Sequence, residues 1–323
     1  MFDRRHGQLD FKRKRLPWID EVRYAIEDHV RAQPIDAAAR AVLRQRLFDW
    51  MAHGYVVLES AIEHELVDAF LADIDEVLGN HRAFSSLVLS DKYDHVKIRD
   101  ADPAFFFGQR MRFVDLHHAS VAGKKLSLHR SVLDFLGHVF RSEIVMMQSL
   151  TFLEGSQQLL HQDHAYVIAE NPSHLAAAWI ALEDIDPRAG PLRYVPGSHA
   201  MPMFDWGNGI YRRSGSTATD QQFAAHIEGH CEAAGLEPRT FCPKKGDVFV
   251  WHAALAHGGS PVGDTSLTRK SHVTHYSMPR TFRRHYRDPS KKPVVERVNG
   301  GLVYHDPTDP ANENRLQRGE RLP

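Results

Sequence analysis

Gly246-Asp247-Val248-Phe249-Val250-Trp251-His252-Ala253-Ala254-Leu255-Ala256-His257-Gly258-Gly259 is the stretch on which the fold turns. It reads as a turn at Gly246, a short apolar strand over Asp247 to His252, and a histidine at a glycine-rich edge. Outward from it, Ile144 to Leu153, Leu175 to Leu182, Leu192 to Val195, Thr240-Phe241 and Ser271 to Ser277 read the same way. The segment 175–182 fits a buried strand better than a helix, because turn signals flank it at Asn171-Pro172 and from Pro187 to Pro191. Short strands separated by glycine and proline turns predict a sandwich or jelly roll.

Before residue 144 the texture is mainly helical. Ile35 to His53 spaces Val42, Leu43, Leu47 and Trp50 on a helix that stops at Gly54. Gly54 to Leu58 reads as a short strand. Ser60 with Glu63 forms a capping-box pattern for a helix that buries Leu66, Phe70, Ile74 and Leu78 and ends at Gly79. Leu126 to Phe140 reads as one amphipathic helix, and Thr217 to Ala234 as a helical insertion among the strands. Helices first and strands afterwards is an α+β arrangement. The expected organisation is a single catalytic domain over 1–323: a mainly helical part to 143, a jelly-roll core over 144–280, and an extension over 281–323. From Asp306 that extension is polar and proline-containing, which predicts a loosely held tail.

Composition excludes several classes. The 323 residues carry a net charge of −1, with 42% hydrophobic and 25% charged residues. That is ordinary for a folded soluble protein and unlike a disordered chain. A dedicated nucleic-acid binder would show a basic excess. Two cysteines, Cys231 and Cys242, exclude a disulfide scaffold and a cysteine-rich zinc module. They fit a reducing compartment, and no apolar run is long enough to span a bilayer. The N-terminus lacks an apolar signal region, and Lys12-Arg13-Lys14-Arg15 reads as a solvated arm. A cytoplasmic monomer or homodimer acting on a small molecule is the expectation, with no nucleic acid or membrane partner.

Three His-x-acid tripeptides occur: His161/Asp163, His226/Glu228 and His230/Glu232. That is no more than 22 histidines scattered at random among 41 acids would give, so context must separate them. The last two lie in the helical insertion, where positions two apart point away from each other. His161 and Asp163 follow an apolar strand, and on extended chain positions two apart share a face. A facial triad of two histidines and a carboxylate needs a third ligand and leaves positions open for co-substrate and oxygen. His257 is the candidate. His252 is its rival in the same run; the place of His257 beside Gly258-Gly259 and its spacing to Arg269 favour His257. Arg269 offers a guanidinium that can clamp a carboxylate in two-point fashion, as the far end of 2-oxoglutarate requires.

Four blocks now stand in order: His161 to Tyr166, Trp179 to Asp184, Gly190 to His199, and Gly246 to His257 followed by Arg269. Together they resemble the phytanoyl-CoA dioxygenase-like family of Fe(II)/2-oxoglutarate oxygenases, over roughly Ile144 to Tyr276. The resemblance implies a double-stranded β-helix (a cupin-like jelly roll) with N-terminal helices. It implies Fe(II) on His161, Asp163 and His257, and Arg269 on the tail of 2-oxoglutarate. Trp179 matches a tryptophan beside that co-substrate, and Gln148 an amide near it. The reaction implied consumes 2-oxoglutarate and O2, releases succinate and CO2, and by default hydroxylates an unactivated C–H bond. Desaturation, ring closure or epimerisation would use the same ligands. Relatives that halogenate lack the carboxylate ligand, so Asp163 disfavours halogenation.

The chain departs from the family after His257, where Gly258-Gly259-Ser260-Pro261 shifts the expected hydroxyl, Ser260, by one residue. The competing reading is a non-redox cupin-like metal enzyme or a metal-binding module; Arg269 and Trp179 favour the oxygenase. His164 and Tyr166 are the candidate substrate contacts. Selectivity is expected from Lys92 to His118 and Met201 to His230, which would cover the mouth of the roll. Lys97, Arg99, Arg110, Arg112, Arg212 and Arg213 lie there, and a solvated role is expected for them over contact with an acidic substrate.

Overall fold

A computed structural model of the chain describes residues 19, 26–167, 172–208, 212–281, 294–305 and 313–320. The basic stretch Lys12 to Arg15 and the turn residue Asn171 lie outside them. The described helices are α1 (Ile26–Arg31), α2 (Ala37–His53), α3 (His64–Gly79), α4 (Val121–Ser127), α5 (Arg130–Phe140) and α6 (Asp220–Ala233). The described strands are β1 (Tyr55–Leu58), β2 (Leu87–Leu89), β3 (Val96–Lys97), β4 (Arg112–Val114), β5 (Val145–Phe152), β6 (Ala176–Ala181), β7 (Leu192–Tyr194), β8 (Arg239–Phe241), β9 (Val248–His252), β10 (His257–Gly259), β11 (Ser271–Ser277), β12 (Val294–Val298) and β13 (Gly301–His305).

The main sheet runs β1-β9-β6-β11-β5-β4-β2-β3, and a second sheet runs β10-β7-β8. Neighbours are antiparallel, except that the β12–β13 hairpin joins by a parallel pairing of β13 with β5. One face of the main sheet looks toward the small sheet across Trp179, Phe249, Trp251, Leu192 and Tyr194. The other lies under helices, where Leu47, Trp50 and Phe70 pack with Val248, Val250, Ile180 and Tyr276. This is the expected jelly roll, open rather than closed. β6 and β9 are buried on both faces, which is why their sequences are continuously apolar rather than alternating.

Local chemistry sets the boundaries. α2 starts at Asp36, whose side chain accepts from the Ala39 N–H, and stops at Gly54 with φ +79°. A side chain there would be strained and would strike the His199 ring. α6 opens with a full capping box between Thr219 and Gln222.

Four expectations fail for identifiable reasons. Ser60 does not cap α3: it is left-handed (φ 46°), and its N–H donates to Asp247 Oδ1 at 2.8 Å. Glu63 takes the cap position without a side-chain bond, its carboxylate being 2.9 Å from His129 Nε2. The helix expected over 126–140 is two helices, broken at Leu128 because His129 caps α5 through the Ser131 N–H. The part before 144 contributes, besides the expected strand β1, the unexpected β2 to β4 at the far edge of the main sheet. The described tail is tied down: the buried Lys124 amine meets Glu313 and Asn314, Leu316 bridges Ser120, and Arg318 meets Asp73.

Candidate active site

Alternation along strands decides what faces the space between the sheets. On β5, Gln148, Leu150 and Phe152 line cavities while Ser149 and Thr151 turn to the helices. On β11, Val273 and His275 face the cavities and His272 faces α4. On β9, Trp251 faces in and His252 does not.

His161 and His257 are held by a reciprocal pair of backbone bonds, each N–H donating to the other's carbonyl at 2.9 and 3.0 Å. The edge needs its glycines: a side chain at Gly258 would come within 2.6 Å of the Gln158 carbonyl. His161 Nδ1 lies 2.8 Å from the Leu159 carbonyl, and His257 Nδ1 2.9 Å from that of Leu255. A carbonyl only accepts, so each Nδ1 carries the proton and each Nε2 presents a lone pair. Both Nε2 atoms converge on Asp163 Oδ1, at 3.8 and 3.4 Å. The second oxygen, Oδ2, takes the Trp251 indole N–H at 2.8 Å and lies 3.4 Å from His275 Nε2. One donor atom from each of His161, Asp163 and His257 lies within 4.8 Å of the others.

The electrostatics fit a cation. Burial alone would raise Asp163, but His257 and His275 beside it hold its carboxyl well below the usual range. Burial, reinforced by His257, lowers His161 to about 4 against the pull of Asp163. Burial also opposes the charged form of His257, yet Asp163 raises it. An ionised carboxylate and two fixed imidazole lone pairs form the donor set that intermediate divalent metals take.

Two cavities meet at these residues and share His161, Asp163, Leu150, Gln158 and His275. The inner one, about 60 Å³, adds Phe152, Trp179, Leu192, Trp251, Val273 and Arg269 to its walls. Its volume suits about four to six waters, the scale of a five-carbon diacid. Arg269 is 2% exposed, with its Cζ 5.4 Å from the Phe152 ring centroid and 5.7 Å from that of Trp179. Burial lowers its guanidinium to about 10, against the pull of Glu183, so it stays charged at neutral pH. Among the described residues it makes no ion pair; its one hydrogen bond is to the Glu154 carbonyl at 3.4 Å, and its Nε has no partner. The outer cavity, about 550 Å³, is walled by Leu89, Val114, Leu159, Leu160 and Val167, with Arg112, Gln148 and Tyr166 among its polar groups.

The structure thus brings together His161, Asp163, His257, Arg269 and Trp179. Gln148 stands apart: it pairs with His275 across β5–β11 and lines the outer cavity rather than the inner one. Ser260 is buried but lines neither cavity, and its hydroxyl has no partner among the described residues. Tyr166 lines the outer cavity with its hydroxyl donating to Asp220. His164 lines neither, its ring lying 3.3 Å from the Gln162 amide oxygen. The rival ligand His252 packs on Trp50 and His199 at 6.0 and 5.6 Å and accepts from the Ala254 N–H. Sequence reasoning missed Trp251 and His275. Counting by two from Arg269 along β11 reaches His275, and Trp251 alternates with His252, so both signals were present.

A family model described as phytanoyl-CoA dioxygenase matches residues 50–271. The chain is 25% identical over 256 residues to "Phytanoyl-CoA dioxygenase 1" of Oryza sativa subsp. japonica, covering 69% of this chain and 85% of that one. Among solved structures it is similar to SnoN, a non-heme alpha ketoglutarate dependent epimerase from nogalamycin biosynthesis. There the TM-score is 0.57 at 17% identity, covering 82% of this chain and 98% of SnoN. It is also similar to EctD from S. alaskensis with bound Fe, with TM-score 0.53 at 18% identity over 76% and 78% of the two chains. At these identities the structural likeness speaks for the fold.

Proposed function

The chain belongs to the phytanoyl-CoA dioxygenase family, and from that premise we propose that it is a 2-oxoglutarate-dependent non-haem iron dioxygenase oxidising a C–H bond of a small molecule. His161, His257 and Asp163 Oδ1 are the iron ligands in this reading. Arg269 pairs with the far carboxylate of 2-oxoglutarate, and Trp179, Leu192 and Val273 pack along its methylenes. Iron and 2-oxoglutarate held there would supply O2-dependent oxidation, with 2-oxoglutarate going to succinate and CO2 and the substrate C–H bond, by default, to an alcohol.

The residues of this chain supply the rest. The carbonyls of Leu159 and Leu255 hold the two imidazoles in their ligating tautomer. Trp251 donates to Asp163 Oδ2, with His275 Nε2 3.4 Å away, so Oδ1 is the oxygen that would face a metal. EctD, solved with bound Fe, is consistent with iron at this centre, and SnoN, called an epimerase, with an outcome other than hydroxylation.

One observation carries the reading: a buried guanidinium without an acid partner shares a small cavity with the metal-ligand triad. Burying an unpaired cation costs several kcal/mol, about 3–5 when a partner is missing. A non-redox cupin has no use for that cost, whereas a dicarboxylate bridging metal and arginine removes it. The test is release of labelled CO2 from 1-[14C]-2-oxoglutarate, with a small-molecule extract as substrate source. Release that requires both Fe(II) and O2 and matches succinate is expected. Iron-loaded protein that releases none would overturn the proposal.

A further inference from the structure

The inner cavity holds one guanidinium and the outer cavity another. Arg112 is placed by alternation on β4: Phe113 is buried in the helix-covered core, while Arg112 and Val114 line the outer cavity. Its register partner on β5 is Phe152, and its Cζ lies 5.8 Å from that ring centroid. Phe152 is thus shared by Arg112 and Arg269, one on each cavity wall.

Among the described residues the Arg112 side chain makes no ion pair and no hydrogen bond, and its Nε is buried without a partner. The acids around it are already taken. Asp91 is bridged by Arg110 at 2.7 Å. Asp220, in the cavity wall, holds Arg213 at 2.7 Å and the Tyr166 hydroxyl at 2.9 Å. His95, also in the wall, faces its own Asp94. Asp163 belongs to the metal triad. Of the six basic residues singled out in the flanking segments, Arg112 alone lines the cavity. An uncompensated fork of donors, in a cavity that sets an apolar patch (Leu89, Val114, Leu159, Leu160, Val167) among polar walls, binds an oxyanion well and a neutral group poorly.

Resting on the oxygenase reading above, we propose that the substrate has an apolar body and one carboxylate or phosphomonoester head, and that Arg112 anchors that head in the outer cavity. Leu89, Val114, Leu159, Leu160 and Val167 pack the body. The anchored molecule then offers a C–H bond to the open side of the triad, away from the 2-oxoglutarate arm. Arg112 is a specificity residue in this account, and the two arginines divide the two anions between them.

The test uses the anaerobic Fe(II)·2-oxoglutarate complex and follows its visible charge-transfer band. Octanoate, octyl phosphate and octanamide are titrated into wild type, Arg112→Gln and Arg112→Lys. The band itself must form first in each protein: its absence from iron-loaded wild type would sink the oxygenase reading, a separate failure. The inference expects octanoate or octyl phosphate to shift the band at about tenfold or more lower concentration than octanamide, and which acid wins identifies the head group. Arg112→Gln keeps the band but loses that preference, and Arg112→Lys keeps part of it. Octanamide binding as tightly as both acids, no probe shifting the band, or a preference that survives Arg112→Gln would overturn the proposal. Loss of the band itself in Arg112→Gln would reassign Arg112 to the co-substrate and overturn it equally.

Discussion

The two faces of β11 carry a histidine each, three residues apart, and they behave oppositely. His272 points to the helices, where Ser127 Oγ and Thr151 Oγ1 meet its ring nitrogens at 2.7 and 2.9 Å and Phe70 packs edge-on. Thr274 and Tyr276 on the same face also bond to Ser127. His275 points to the cavities, and neither of its nitrogens has a hydrogen bond; its Nε2 lies 3.4 Å from Asp163 Oδ2. Arg269, on the same side, is buried without an acid. One face spends its polar groups on stability and the other leaves them for something else to satisfy. Buried polar groups are normally paired, so the unpaired side is the one to which we assign the proposed function.

The largest expected effect tests this division on β9 and its continuation. His257→Ala abolishes iron-dependent decarboxylation, while His252→Ala retains iron affinity and loses only thermal stability, its ring being packed on Trp50. Metal titration and melting curves separate the two, and equal loss of iron from both variants would break the comparison. Next, Arg269→Gln raises the 2-oxoglutarate concentration for half-maximal turnover by about 100-fold, the worth of a buried charge-assisted pair. Steady-state kinetics at saturating iron reads it. Trp251→Phe removes the bond to Asp163 Oδ2 and weakens iron binding by about 10–100-fold, the usual cost of a lost outer partner.

The smallest effect belongs to the helix side. Burial lowers His272 to about 3, against an unfolded value near 6.5. Between these values the unfolded chain binds the extra proton, so this residue stabilises the fold above about pH 6.5 and its contribution is lost as pH falls toward 3. His272→Gln should flatten the acid limb of the melting-temperature profile. An unchanged profile would mean that other groups set it.

The roll and the triad were legible because their signals are local. β5, β6, β9 and β11 are apolar runs between turns, and the residue between His161 and Asp163, Gln162, is extended, so spacing by two has meaning although Asp163 itself opens a 3-10 turn. Arg269 announced itself by position. The outer cavity was not legible. β2, β3 and β4 have two or three residues each, too short for a period, and they form because β5 offers an edge to pair with. Whether Arg110 or Arg112 is solvated depends on Asp91, some twenty residues away, which no pattern along the chain reports. Ser60 illustrates the same limit: its capping pattern is sound, but Asp247 claims its N–H from a distant turn. The tail read as loose because it is polar, yet its Glu313 finds the buried Lys124.

The central claim is that one small cavity seats iron at His161, Asp163 and His257 with 2-oxoglutarate reaching to Arg269. Adding Fe(II) and then 2-oxoglutarate to metal-free protein without oxygen, while recording the visible spectrum, tests it most directly. The account predicts a weak charge-transfer band that appears only when both are present, is absent in His161→Ala, and needs far more 2-oxoglutarate in Arg269→Gln. Folded, iron-loaded protein that shows no band at any 2-oxoglutarate concentration would contradict it.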